Sequence, residues 1–243
     1  MVEALDLAKT FYDRKRGEVR AVDGVSFRAG RGQIFGLLGP NGAGKTTTLR
    51  LLSTVFKPSS GTATINGFDI QIQPQRVREQ VGFLSAETGL YARLTAREMI
   101  AYFGRLYGLT PAAIAGRIEQ ISSILDMGDF LDARNDKLST GQRQKVSIAR
   151  TIVHDPPVMI FDEPAAGLDV LASRAIVTFI KRCRDEGKCV IFSTHRMDEA
   201  EKLCERIAII HNGQIRACGT LQDLFNQSQK TGLEEAFLWF VDG

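Results

Sequence analysis

The stretch QIFGLLGPNGAGKTTTL, residues 33–49, runs from a compact apolar segment through three closely spaced glycines into a lysine and a run of threonines. Gly39, Gly44, Lys45 and Thr46 occupy the fixed places of the pattern Gly-x-x-x-x-Gly-Lys-Ser/Thr. "QIFGLL" reads as a strand buried in a parallel sheet, and "GKTTTLRLLSTVF" has helical spacing. Strand, glycine loop and helix are the context this motif requires. A backbone comes close to a highly charged anion only where side chains are missing, so Gly39, Gly42 and Gly44 let successive N–H groups and the helix start converge on phosphates. Pro40, Asn41, Ala43 and Thr47 complete the loop. Lys45 supplies positive charge for the β and γ phosphates, and the Thr46 hydroxyl is placed to ligate Mg²⁺.

Working outward, the segments before residue 27 alternate around the polar turn "DRKRGEV", which predicts an antiparallel hairpin layer ahead of the main sheet. "TATINGFDI" is a strand broken by an Asn-Gly turn, and "VGFL" is a further short strand. The middle of the chain changes character. Thr95 with Glu98 forms a capping box, Thr110 precedes Pro111 at a second helix start, and Ile114, Ile118, Ile121 and Leu125 share one helix face. Strands then return as "PVMIFDE", "CVIFST" and "RIAII", the last turned by "HNGQ" into a hairpin with "IRACG".

The expected fold is therefore α/β, a phosphate-loop (RecA-like) core with an N-terminal antiparallel β layer and an inserted α-helical subdomain. The whole chain 1–243 is expected as one domain, with β layer and core in 1–86 and 156–230, the insert in 87–155 and a closing helix in 231–243. The apolar tail "LEEAFLWFV" is read mainly as core packing, with a partner surface as the other reading.

Bulk properties exclude several classes. A net charge of +3, from 31 basic and 28 acidic residues, is too small to argue for nucleic acid or an anionic membrane. Cys183, Cys189, Cys204 and Cys218 have no Cys-x-x-Cys or zinc spacing and read as packed, reduced thiols. No run of about 18 uncharged apolar residues is present and no leader pattern opens the chain, so membrane work implies a separate membrane partner.

Two adjacent carboxylates end the strand "VMIFDE". Downstream of a phosphate loop, Asp162 is expected to hold Mg²⁺ through its hydration shell and Glu163 to orient and polarise the attacking water. His195, just past "CVIFST", sits where open α/β sheets gather ligands; it reads either as a structural residue or as a contact to a γ-phosphate. "LSTGQRQKVSIAR", residues 138–150, opens a helix on a Ser-x-Gly turn and so offers a second anion site within the helical insert.

With that segment in place, the chain resembles the ATPases of ABC transporters across essentially its whole length. The motif looks like their "LSGGQ" signature, with Thr140 where a glycine is usual. The resemblance implies that Ser139, Gly141 and Gln142 close over ATP held by another subunit, so that two subunits, here most simply two identical copies, sandwich two nucleotides. It also implies that Phe11, with Tyr12 as neighbouring alternative, stacks on adenine; that Asp169 lies in a loop crossing the dimer; and that His195 senses the γ-phosphate. The catalytic set is then Glu163, His195 and Lys45, the cofactors ATP and Mg²⁺, and the reaction hydrolysis of ATP to ADP and phosphate. A multi-span permease is the implied partner, with Tyr91, Phe103 and Tyr107 either docking contacts or structural aromatics, and with the protein peripheral on the cytoplasmic membrane face. One departure stands out. Such ATPases commonly carry a glutamine after the "VGFL" strand, where this chain has Ala86 followed by Glu87, so either Glu87 substitutes at the metal or that contact is absent. "GEVRAVDGVSF" and "FSTHRMDEAEKLCERIAII" look most like the sodium-extrusion and drug-export branch. Nucleic-acid and ribosome ATPases of similar build carry long coiled coils, zinc modules or paired domains that are absent here, and the Asn-Lys-x-Asp guanine motif of GTP switches is absent too.

Overall fold

The hairpin expected around the polar turn forms as β1 (Val2–Asp13) and β2 (Gly17–Ala29), paired antiparallel. The computed structural model describes residues 1–15, 17–85 and 89–242. The register of β1 shifts three times between Ala4 and Thr10, bulges that bend the strand before it reaches Phe11. The apolar run is β3 (Gln33–Leu38), and α1 (Lys45–Leu52) begins at the motif lysine. β4 (Ser60–Ile65) and β5 (Phe68–Asp69) flank a turn in which Asn66 and Gly67 both take positive φ, as a tight hairpin requires. These strands make a four-stranded antiparallel sheet in the order β2-β1-β4-β5.

After α2 (Pro74–Gln80) and β6 (Val81–Ser85), the named elements are helical until β7 (Val158–Asp162). α3 (Ala96–Leu106) carries the Thr95–Glu98 capping box in both directions, and α4 (Pro111–Leu125) is capped by the Thr110 side chain with Pro111 in its first turn. Ile114, Ile118, Ile121 and Leu125 are all buried, as their spacing predicts. α5 (Thr140–Ile152) follows two short 3-10 turns.

The remainder alternates: α6 (Val170–Asp185), β8 (Cys189–Thr194), α7 (Met197–Leu203), β9 (Arg206–His211), β10 (Gln214–Gly219), α8 (Leu221–Ser228) and α9 (Leu233–Asp242). The second sheet has the order β10-β9-β3-β8-β7-β6, parallel except for β10. Its strands are apolar on both faces because both are covered. Ile34, Leu38, Phe161, Phe192 and Ile209 face the core shared with the helices of the middle segment, while Phe35, Leu37, Ile160, Ile191 and Ile210 face a second core under the antiparallel sheet. Truncating a fully buried ring such as Phe35 or Phe161 to alanine in a core of this kind costs about 3–5 kcal/mol.

Two sequence readings resolve here. The C-terminal apolar run divides: Leu233, Ala236 and Phe237 are buried, whereas Leu238 and Trp239 remain half exposed. The cysteines are free thiols, three of them buried. No helix among the described residues is long and apolar enough to cross a membrane.

Candidate active site

Register brings the site together. Leu38 pairs with Thr194 and Asp162 with Ser193, so β3, β7 and β8 end level, and the residues that follow them, Gly39, Glu163 and His195, leave the sheet at one edge. Carboxyl ends of central parallel strands are where open α/β sheets bind ligands.

Packing requires two of the loop glycines, Gly39 and Gly44. A Cβ on Gly39 would collide with the carbonyl oxygen of Ile210, and one on Gly44 with that of Ala21. Gly44 also sits at φ 106°, a conformation that side chains resist. Gly44→Ala is expected to displace the loop, lowering ATP affinity at least about tenfold and stability by roughly 2–3 kcal/mol. A nucleotide titration beside a thermal melt checks both, and an unshifted variant would show that the loop tolerates the side chain.

Lys45, 4% exposed, donates from Nζ to the carbonyl oxygens of Gly39 at 2.8 Å and Pro40 at 3.1 Å, and pairs with Glu163 Oε1 at 3.2 Å. Glu163 Oε2 lies 3.1 Å from His195 Nδ1. Partial burial pushes the Glu163 carboxyl up, but its hydrogen bond and ion pair with Lys45, helped by His195, outweigh burial and hold it below the usual glutamate value. The acid is thus a carboxylate clamped between a lysine and a histidine. Its backbone takes φ 46°, rare for a residue with a side chain and costing of order 1–3 kcal/mol.

Thr46 Oγ1 donates to Asp162 Oδ1 at 3.1 Å, bringing the two expected metal-side groups together. Asn41, Gly42, Gly44, Lys45, Thr46, Thr47, Ala21, Phe11 and Glu163 line one cavity of about 340 Å³. Phe11 is partly exposed, with its ring edge-to-face on Phe56 and Lys9 Nζ 5.2 Å from its centroid. Tyr12 is far more exposed and does not line that cavity.

Ser139, Gly141 and Gln142 stand elsewhere. Ser139 caps α5, its hydroxyl accepting from Gln142 N–H at 3.2 Å while Gln142 Oε1 accepts from Ser139 N–H at 2.9 Å. A Ser-x-x-Gln capping box was legible in the spacing but is outside the anion reading made of that segment. Helix starts leave N–H groups without intrahelical partners, and the turn at Thr140 and Gly141 presents them. Asp169 caps α6 through a 2.8 Å bond from Ala172 N–H. Two connections are absent from the sequence reading altogether: Gln144 Nε2 donates to the Pro164 carbonyl at 2.9 Å, joining α5 to the loop after Glu163, and Ser193 contacts both acids. Ala86 and Glu87, the expected departure at the metal, lie outside the described residues.

A glycine loop opening a helix at Lys45, an acid pair at a strand end and a second capped helix start at Ser139 are the build of a phosphate-loop ATPase. Comparison with known proteins places it further. A family model described as "ABC transporter" matches residues 22–166, more than half of the chain, and the chain belongs to that family. The chain is 41% identical to the ABC transporter ATP-binding protein NatA of Bacillus subtilis (strain 168) over 98% of its own length and 97% of that protein's. A solved structure described as an ATP-binding subunit of an ABC transporter superposes with TM-score 0.88 at 30% identity, covering 99% of each chain. A dimeric ATP-binding cassette solved after hydrolysis with ADP and Pi has TM-score 0.82 at 24% identity, over 91% of this chain and 99% of that one, a likeness of fold. The protein is an ATP-binding, ATP-hydrolysing subunit of an ABC transporter.

Proposed function

We propose that two copies of this chain close head to tail around ATP, and that this closure works a separate multi-span permease from its cytoplasmic face. The observation that carries the reading is spatial: among the described residues the signature contributes nothing to the cavity around its own phosphate loop, yet presents a helix start suited to phosphate. The dimeric state of the cassette with the same fold supports it. Residues Ser139, Gly141 and Gln142 then complete the site of the other subunit. Binding shared in this way is much stronger in the closed state than in the open one, the differential affinity that shifts a conformational equilibrium.

Within each site Phe11 stacks on the base, the loop amides and Lys45 hold the phosphates, and Glu163 accepts a proton from the attacking water, with His195 fixing the carboxylate and meeting the γ-phosphate. Thr46 and Asp162 fit Mg²⁺, two hard oxygen donors in contact at 3.1 Å. When bound, Mg²⁺ neutralises charge developing on the β and γ phosphates. The docking face of the permease is the groove lined by Val55, Arg78, Phe103, Tyr107 and Arg150, with exposed Tyr91 beside α3. Export, of sodium or a drug-like molecule, follows the branch that the sequence resembles.

Ser139→Arg tests the shared site. Bulk and charge at the helix start should leave ATP binding to the monomer intact while abolishing nucleotide-driven dimerisation and lowering turnover on the order of 10²-fold. Light scattering with and without ATP, beside steady-state turnover, gives both readouts; a monomeric variant with wild-type turnover overturns the sandwich.

A further inference from the structure

The hydroxyl of Ser193 is fully buried on β8 and touches both Asp162, at the end of β7, and the backbone of Glu163, just past it. Ser193 Oγ donates to Asp162 Oδ1 at 2.7 Å and accepts from the Glu163 N–H at 3.0 Å. The same N–H also points at the Ser193 carbonyl oxygen, at 3.3 Å. One side chain therefore donates to the acid assigned to the metal and accepts from the backbone of the acid assigned to the water.

Glu163 needs such a support. Its φ of 46° is unfavourable for a side-chain-bearing residue and persists only where surroundings over-determine it. That backbone turn aims the carboxylate back over the loop toward Lys45 rather than along the strand. Asp162 Oδ1 accepts from two hydroxyls, of Thr46 and of Ser193. Thr46, in the first turn of α1, is the donor assigned to Mg²⁺; Ser193, with no exposure, has no contact to exchange with solvent or substrate. Ser193 is thus the fixed donor of the pair.

We infer that Ser193 is a positioning residue for ATP hydrolysis, locking Asp162 and the strained Glu163 backbone in the geometry that turns water on the γ-phosphate. It touches neither substrate nor water and acts through the two acids. This inference rests on the assignment of Glu163 as the proton acceptor.

The test is a double-mutant cycle on the full-length protein. Ser193→Ala should lower kcat about 10–100-fold, the usual cost of losing a partner behind reactive groups, with KM for ATP changed less than about threefold. In a Glu163→Gln background the same change should cost clearly less than in the wild type, because one of the two groups it positions is already disabled and only the Asp162 contact is left to lose. Ser193→Cys fills the site with a slightly larger atom that hydrogen-bonds weakly, so it should fall with alanine and not with the wild type. Fluorescent-nucleotide binding and the thermal midpoint establish that each variant is folded, and if alanine fails to fold, the cysteine variant carries the cycle. Wild-type kcat in Ser193→Cys or Ser193→Ala, or an equal loss in both backgrounds, overturns the inference. Failure of the underlying assignment looks different: there Glu163→Gln itself would retain full turnover.

Discussion

Glu163→Gln is expected to slow ATP hydrolysis by on the order of 10² or more while leaving ATP bound. The amide keeps the shape of the side chain and removes its capacity to take a proton. It also removes the charged partner of Lys45, which in the free protein divides its hydrogen bonds among the Gly39 and Pro40 carbonyls and the Glu163 carboxylate. Freed from that carboxylate, Lys45 meets phosphate without competition, so affinity for ATP should hold or rise and a closed dimer should accumulate. Turnover in the wild-type range would assign the water to another residue. A pH series adds a sharper readout. Lys45 and His195 hold the Glu163 carboxyl below its ordinary value in the free protein, so the acidic limb of kcat/KM should fall below the usual glutamate range. Once phosphates draw Lys45 away, the acidic limb of kcat should lie higher than that of kcat/KM. Coincident limbs would mean that Lys45 never releases the acid.

Lys45→Ala acts one step earlier. Hydrogen bonds from a charged donor contribute about 1.5–3 kcal/mol each, and losing those to two phosphates should weaken ATP binding by at least about 10²-fold. A further penalty follows from the geometry: without the lysine, Glu163 faces the phosphates as an uncompensated negative charge, 23% exposed in its side chain. Lys45→Arg should not restore binding, since the longer planar guanidinium does not fit a pocket where the ammonium is 4% exposed. Titration with a fluorescent nucleotide decides the matter, and wild-type affinity in the alanine variant would remove Lys45 from the phosphate site. Turnover falls in both Glu163→Gln and Lys45→Ala, but only the second loses ATP, which separates chemistry from capture.

What could be read directly from residue order was whatever is settled within a turn or two of chain. The strand, loop and helix around Lys45, the capping box at Thr95 and the cap at Thr110, the apolar face of α4 and the Asn66–Gly67 turn all follow from backbone sterics, local hydrogen bonds and period, and the structure has them. The ABC membership was legible for the same reason, since each motif is a short local device and their order along the chain is specific. Tertiary structure alone decided how those devices meet. Thr46 and Asp162 are 116 residues apart, Ser193 and Asp162 31, and Lys45 reaches Glu163 only because β3 and β7 flank β8 in one sheet. Strand order and register depend on which apolar faces bury together, a sum over the whole core that no single segment contains; so the hydroxyl behind the two acids, the clamp on Glu163 and the bond from Gln144 to the Pro164 carbonyl emerged only when the sheet was assembled.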